Sequence, residues 1–100
     1  MYEITHRDAL ELLTEVYELF DDPDIQLSTE KRGIVDNNKA NVLIIETDGI
    51  WRRMEVSIDG MVAEVKRGHM EMKQVARAIV NIYDAIYPFQ KLTGSVIYIN

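Results

Sequence analysis

Residues 41–68, NVLIIETDGIWRRMEVSIDGMVAEVKRG, decide the fold class. The stretch reads as a three-strand antiparallel meander with tight turns at Asp48-Gly49 and Asp59-Gly60. Asp-Gly suits a two-residue hairpin loop because both central positions require positive φ, which glycine adopts without steric cost. These loops set a register. Thr47 then faces Ile50, Ile45 faces Arg52 and Leu43 faces Met54; past the second turn Ile58 faces Met61, Val56 faces Ala63 and Met54 faces Val65. Paired residues share a face and neighbours alternate. One face collects Leu43, Ile45, Ile50, Met54, Val56, Ile58, Met61, Ala63 and Val65, with Arg52 as its single charge. The other mixes Glu46, Arg53, Glu55, Ser57, Glu64 and Lys66 with Val42, Ile44, Trp51 and Val62.

The flanking segments supply covers for the apolar face. Thr5 followed by Asp8 forms a capping box in its Asp variant and opens a helix to about Phe20. Ala9, Leu13, Val16 and Phe20 recur at helical spacing, flanked by Leu10, Leu12, Tyr17 and Leu19. Asp21-Asp22-Pro23-Asp24 ends it, since the residue before proline is driven out of the α region. Ile25 to Thr29 alternates as a strand, and Glu30 to Asn41, polar and carrying Gly33 and Asn37-Asn38, reads as a turn and loop in which Ile34-Val35 could extend a strand. After Gly68 a second helix runs from about Glu71 to Tyr87, with Met72, Val75, Ala76, Ile79, Ile82, Tyr83 and Ile86 as its stripe and Pro88 as its end. Ser95 to Ile99 is a last strand, apolar on both alternating sets and so covered on both faces. The order α-β-β-β-β-α-β predicts one α+β domain over residues 1–100: a two-layer sandwich, mainly antiparallel in its sheet, with two helices packed on one face.

Composition bounds the function. One hundred residues, 47% hydrophobic and 28% charged, suffice for one core without staples. The chain has no Cys, which excludes disulfides and thiol chemistry. MYEITHRDAL has no continuous apolar run of the signal-peptide kind, and Val42–Ile45 is far too short to span a bilayer, so a cytoplasmic protein is expected. Net charge is −6, unevenly spread: residues 1–30 hold nine carboxylates against Arg7 alone.

No catalytic set emerges. A zinc site needs three or four ligands at definite spacings, and the chain has only His6 and His69. His69-Met70-Glu71 contains the H-x-E of a zinc deaminase without the paired cysteines that must follow. Asp21, Asp22 and Asp24 lack the glycine and distal glutamate of a calcium loop. Phosphate-cradling glycine motifs are absent as well. The expectation is a protein without enzymatic activity, cofactor or metal.

Three surfaces could bind. Asp8, Glu11, Glu15 and Glu18 form an anionic ridge on the first helix, suited to a basic protein. Val42, Ile44, Trp51 and Val62 lie on the outer sheet face, and an apolar patch with tryptophan marks many interfaces. Arg52, Arg53, Lys66 and Arg67 form a basic set suited to nucleic acid. The element order from Thr5 to Ile86, the stretch V-S-I-D-G-M-V and the helix with Lys73-Gln74-Val75-Ala76 loosely resemble a double-stranded-RNA-binding domain. Where that family starts its last helix with lysines, this chain has Gly68-His69-Met70-Glu71-Met72-Lys73, with one Lys and one Glu. The acidic composition and helix-meander-helix order also resemble the small dimeric chaperones of type III secretion, which implies an unfolded effector segment as ligand. The expectation is a small intracellular adaptor, inhibitor or regulator that binds another protein, with a homodimer among its states and nucleic acid as the alternative partner.

Overall fold

Thr5 caps the first helix, α1 (His6–Glu18), through a complete capping box. Its hydroxyl accepts from the Asp8 N–H at 3.2 Å, and the Asp8 carboxylate accepts from the Thr5 N–H at 2.8 Å. The computed structural model describes residues 4–33, 39–47, 52–93 and 96–99, and the side chains of 4–33, 40–47 and 53–86. An Asx turn, in which the Asp22 carboxylate accepts from the Asp24 N–H at 2.9 Å, leads out of α1 into the sheet.

Among the described residues the sheet has four strands in sequential order: β1 (Ile25–Gly33), β2 (Lys39–Thr47), β3 (Arg52–Ser57) and β4 (Val96–Ile99). β1, β2 and β3 pair antiparallel, and β4 joins β3 in parallel. Between β3 and β4 lie α2 (Asp59–Lys66) and α3 (Met72–Thr93). The architecture is the expected α+β sandwich with helices on one sheet face. Ala9, Leu12 and Val16 of α1, Val62 of α2 and Val75, Ala76, Ile79 and Tyr83 of α3 share one buried cluster with Leu43, Ile45, Met54 and Val56.

Four local expectations change. The first concerns Asp59-Gly60, which opens helix α2 instead of turning a hairpin, so residues 61–66 form no strand. Gly60 is not among the positive-φ glycines, as a hairpin turn would demand. Asp59 instead clamps β2, its carboxylate accepting from the Asn41 N–H at 3.2 Å and the Asn41 side-chain amide at 2.8 Å. Gly68, with φ of 81°, is the residue that turns left-handed. It closes α2 through bonds from its own N–H to the Val65 carbonyl and from the His69 N–H to the Glu64 carbonyl, both at 3.0 Å.

Second, Thr47 pairs with Arg52, Ile45 with Met54 and Leu43 with Val56, so the β2–β3 connection is longer than Asp48-Gly49. The offset is two residues, which preserves the alternation. Leu43, Ile45, Met54 and Val56 therefore stay on the helix-covered face, all fully buried. Third, strand structure runs through Glu30–Gly33 and resumes at Lys39, replacing much of the expected loop; Ile34-Val35 lie outside the described residues, as do Ile50 and Trp51. Fourth, α3 passes through Pro88 to Thr93. The good helix formers Gln90, Lys91 and Leu92 continue it past the missing N–H.

Candidate functional site

The helix-free sheet face carries a charge network, not an open apolar patch. Val42 and Ile44 point to this face yet are 0% and 4% exposed. Glu55 sits beside them with a side chain only 9% exposed, bridged by Arg32 of β1 and by Arg53 of its own strand, the latter at 3.0 Å. Arg32 also pairs with Glu30, and Arg53 with Glu46 at 3.1 Å. Arg32 lies in the row of Ala40 and Glu55 in the row of Ile44, so the bridge between them crosses β2 at Val42. The alternation assigned Val42 and Ile44 their face correctly. It held no sign that a salt bridge from β1 to β3 would span them. Val62 is corrected outright: it belongs to α2 and is fully buried in the core. Trp51 lies outside the described residues.

The basic set is dispersed. Arg53 serves the sheet network, Lys66 bonds the Asp8 carboxylate at 2.7 Å, and Arg67 bonds Glu64 at 2.6 Å. Arg53 is on the helix-free face, while Lys66 and Arg67 end a helix on the other. Arg52 has a place in the register opposite Thr47 and no described side chain.

The anionic ridge survives in part. Asp8, with a side chain 16% exposed, is held by Thr5 and Lys66. Burial pushes its carboxyl up, but the hydrogen bonds from Lys66 and Thr5 outweigh this and hold it below its ordinary value of 3.8. Glu11 is exposed and pairs loosely with Arg7 at 3.8 Å. Glu15 and Glu18, with Leu19, line a shallow groove of about 260 Å³ whose other wall is Lys73 and Arg77 of α3. The ridge thus runs beside cations at its C-terminal half.

Two features were not singled out from the sequence. Leu10, Tyr17 and Leu19, 44%, 58% and 37% exposed, are the exposed large hydrophobics among the described residues, and all lie on α1 or its C-cap. They hid inside a stripe that looked uniformly core-facing; the signal was its width, more than one helix can bury against one sheet. The second is an open groove of about 540 Å³ between β3, α2 and α3, lined by Val56, Met61, Glu64, Met70 and Ile82 among others. Glu64 at its rim is held below its ordinary 4.5, first by the hydrogen bond from His69 and then by Arg67. Among the described residues no helix is long and apolar enough to cross a membrane, and no three His, Asp or Glu side chains converge as metal ligands. Comparison of the chain with protein-family models, with curated proteins and with solved structures returns no match.

Proposed function

We propose that this chain is a non-enzymatic protein-binding module, an intracellular adaptor, inhibitor or regulator, that docks through α1. One observation carries the reading: Leu10, Tyr17 and Leu19, the exposed large hydrophobics among the described residues, all belong to one helix and its C-cap, with Leu10 and Tyr17 two turns apart on the same flank. Apolar side chains scattered singly over a surface need no explanation, whereas a concentration on one element does. The same helix presents Glu11 and Glu18 to solvent and a half-buried Glu15. A partner that covers the exposed flank of this helix would supply apolar contacts for Leu10 and Tyr17, and cations for the glutamates that border it. The acidic ridge sets orientation and encounter rate more than affinity, so binding to its cognate surface weakens with salt.

The test is site-specific photo-cross-linking in the source cell. A photoreactive phenylalanine analogue at Tyr17 is expected to yield a discrete adduct, while the same analogue at Asp84, exposed on α3, yields none. Replacing Glu11, Glu15 and Glu18 together with Lys should reduce capture of a basic partner without lowering the melting temperature by more than a few degrees. No adduct at Tyr17, or equal labelling at both positions, removes α1 as the docking element.

A further inference from the structure

We infer that one occupant of α1 is a second copy of this chain, joined edge to edge through β1. The inference rests on α1 as a contact element and adds the partner, the strand and the register.

β1 is one edge of the sheet, nine residues long and free of proline. Alternate residues of an edge strand aim their N–H and C=O groups away from the sheet, a template for a further strand. Gln26, Ser28 and Glu30 are exposed along it. α1 packs on β1 and β2, whereas α3 packs on β3. Glu15 and Leu19 face α3 across the shallow groove. At 100° per residue, Leu10 and Tyr17 fall on the opposite flank of α1, toward the β1 edge. Strand edge and apolar helix flank thus form one lateral surface.

Charge favours a copy of the same chain there. Two molecules of net charge −6 repel, and they meet most easily where carboxylates are fewest. The carboxylates of α1, Asp8, Glu11, Glu15 and Glu18, all lie away from the Leu10–Tyr17 flank, and β1 holds two cations against one carboxylate. Two-fold antiparallel pairing must place some residue opposite itself. Centred on Glu30, Lys31 or Arg32 it opposes like charges directly. Centred on Thr29 it overlaps all nine residues, setting Ser28 against Glu30 and Gln26 against Arg32 of the second copy, with no like charges opposed. The strip is about 30 Å long and, with the helix above the strand, about 20 Å high, so roughly 600 Å² per copy is buried. That total is at the low end for a stable interface, and a concentration-dependent dimer follows. It is a continuous eight-stranded sheet with both α1 helices on one face.

The test is sedimentation equilibrium of the purified full chain from 1 to about 500 μM in 0.15 M salt. The expected result is a monomer–dimer equilibrium between 11.6 kDa and twice that mass. Gln26→Arg should weaken the dimer at least tenfold and Gln26→Glu should tighten it. Ser28→Glu and Ser28→Lys should do the same in that order, with dilute-solution melts confirming that each variant folds. Leu10→Ser with Tyr17→Ser should weaken it as well. A monomer at every concentration overturns the inference, as does a dimer indifferent to the Gln26 and Ser28 variants. If the dimer fails while Tyr17 still cross-links a different protein, α1 stands as a docking element and only the second copy is wrong.

Discussion

At the residue scale, two glycines carry opposite predictions because their backbones differ. Gly60 lies in the first turn of α2, outside the left-handed region, and a Cβ there meets nothing within 4 Å. Gly60→Ala should therefore stabilise the protein by about 0.5 kcal/mol through reduced freedom of the unfolded chain. Gly68 also has room for a Cβ, but its φ of 81° strains any other L-residue, so Gly68→Ala should cost about 1 kcal/mol. Urea denaturation of both variants separates a helix start at Asp59-Gly60 from a hairpin turn, which would make Gly60→Ala the costly change. Glu55 carries a second prediction. Its carboxylate is nearly buried between two arginines whose side chains are about one-third exposed, so solvent screens the pairs in part. Glu55→Gln should cost about 2 kcal/mol, and a double-mutant cycle with Arg32→Met should return a coupling of about 1 kcal/mol. A coupling near zero would mean that Arg32 merely lies over Val42 and that the bridge holds nothing.

At the scale of elements, α1 is held at its start by both its own cap and another helix. Asp8 lies in the first turn of α1 and Lys66 in the last turn of α2, so each charge suits the dipole of its own helix and the pair ties the two ends together. Because the folded pKa of Asp8 is depressed, its contribution is full above the unfolded value of 3.8 and is lost as pH falls through the folded value. Asp8→Asn should be less stable than the natural chain by about 1 kcal/mol at pH 7. Thermal melts from pH 7 to pH 2 should show the difference closing below pH 3.8; a constant difference would mean that neither the cap nor the Lys66 pair depends on the ionised carboxylate. The cap was legible because Thr5 and Asp8 are local chemistry three residues apart. The identity of α2 was not, because Met61, Ala63 and Val65 fit a period of two while Ile58, Val62 and Val65 fit a helix, and eight residues cannot separate the periods. The discriminating signal stood just outside that run: Lys66 and Arg67 followed by Gly68 is a helix stop.

For the whole molecule, what the sequence disclosed is the inward face and what it withheld is how the elements meet. Leu43, Ile45, Met54 and Val56 were assigned to the core by alternation alone, and a register wrong by two residues left them there. The burial of Val42 and Ile44 and the dispersal of Arg53, Lys66 and Arg67 depend on pairings between residues far apart in the chain, which no local pattern encodes. Those distant pairings also determine how the protein unfolds. One buried cluster draws on α1, β1, β2, β3, α2 and α3, and Phe20 closes it against Tyr83 edge to face at 5.4 Å between ring centroids. No helix keeps a core of its own, so the molecule should unfold in one cooperative step. Tyr83, 1% exposed, joins the helix layer across α1 and α3, and Tyr83→Ala should remove about 3–5 kcal/mol, a large part of the roughly 5–15 kcal/mol that a domain has. The sheet band in infrared absorption and the helical signal in far-ultraviolet circular dichroism should be lost together on heating for both the natural chain and the variant. If helical signal were lost at a lower temperature than the sheet band, the helix layer would be a separate unit, and Tyr83 would report only its local stability.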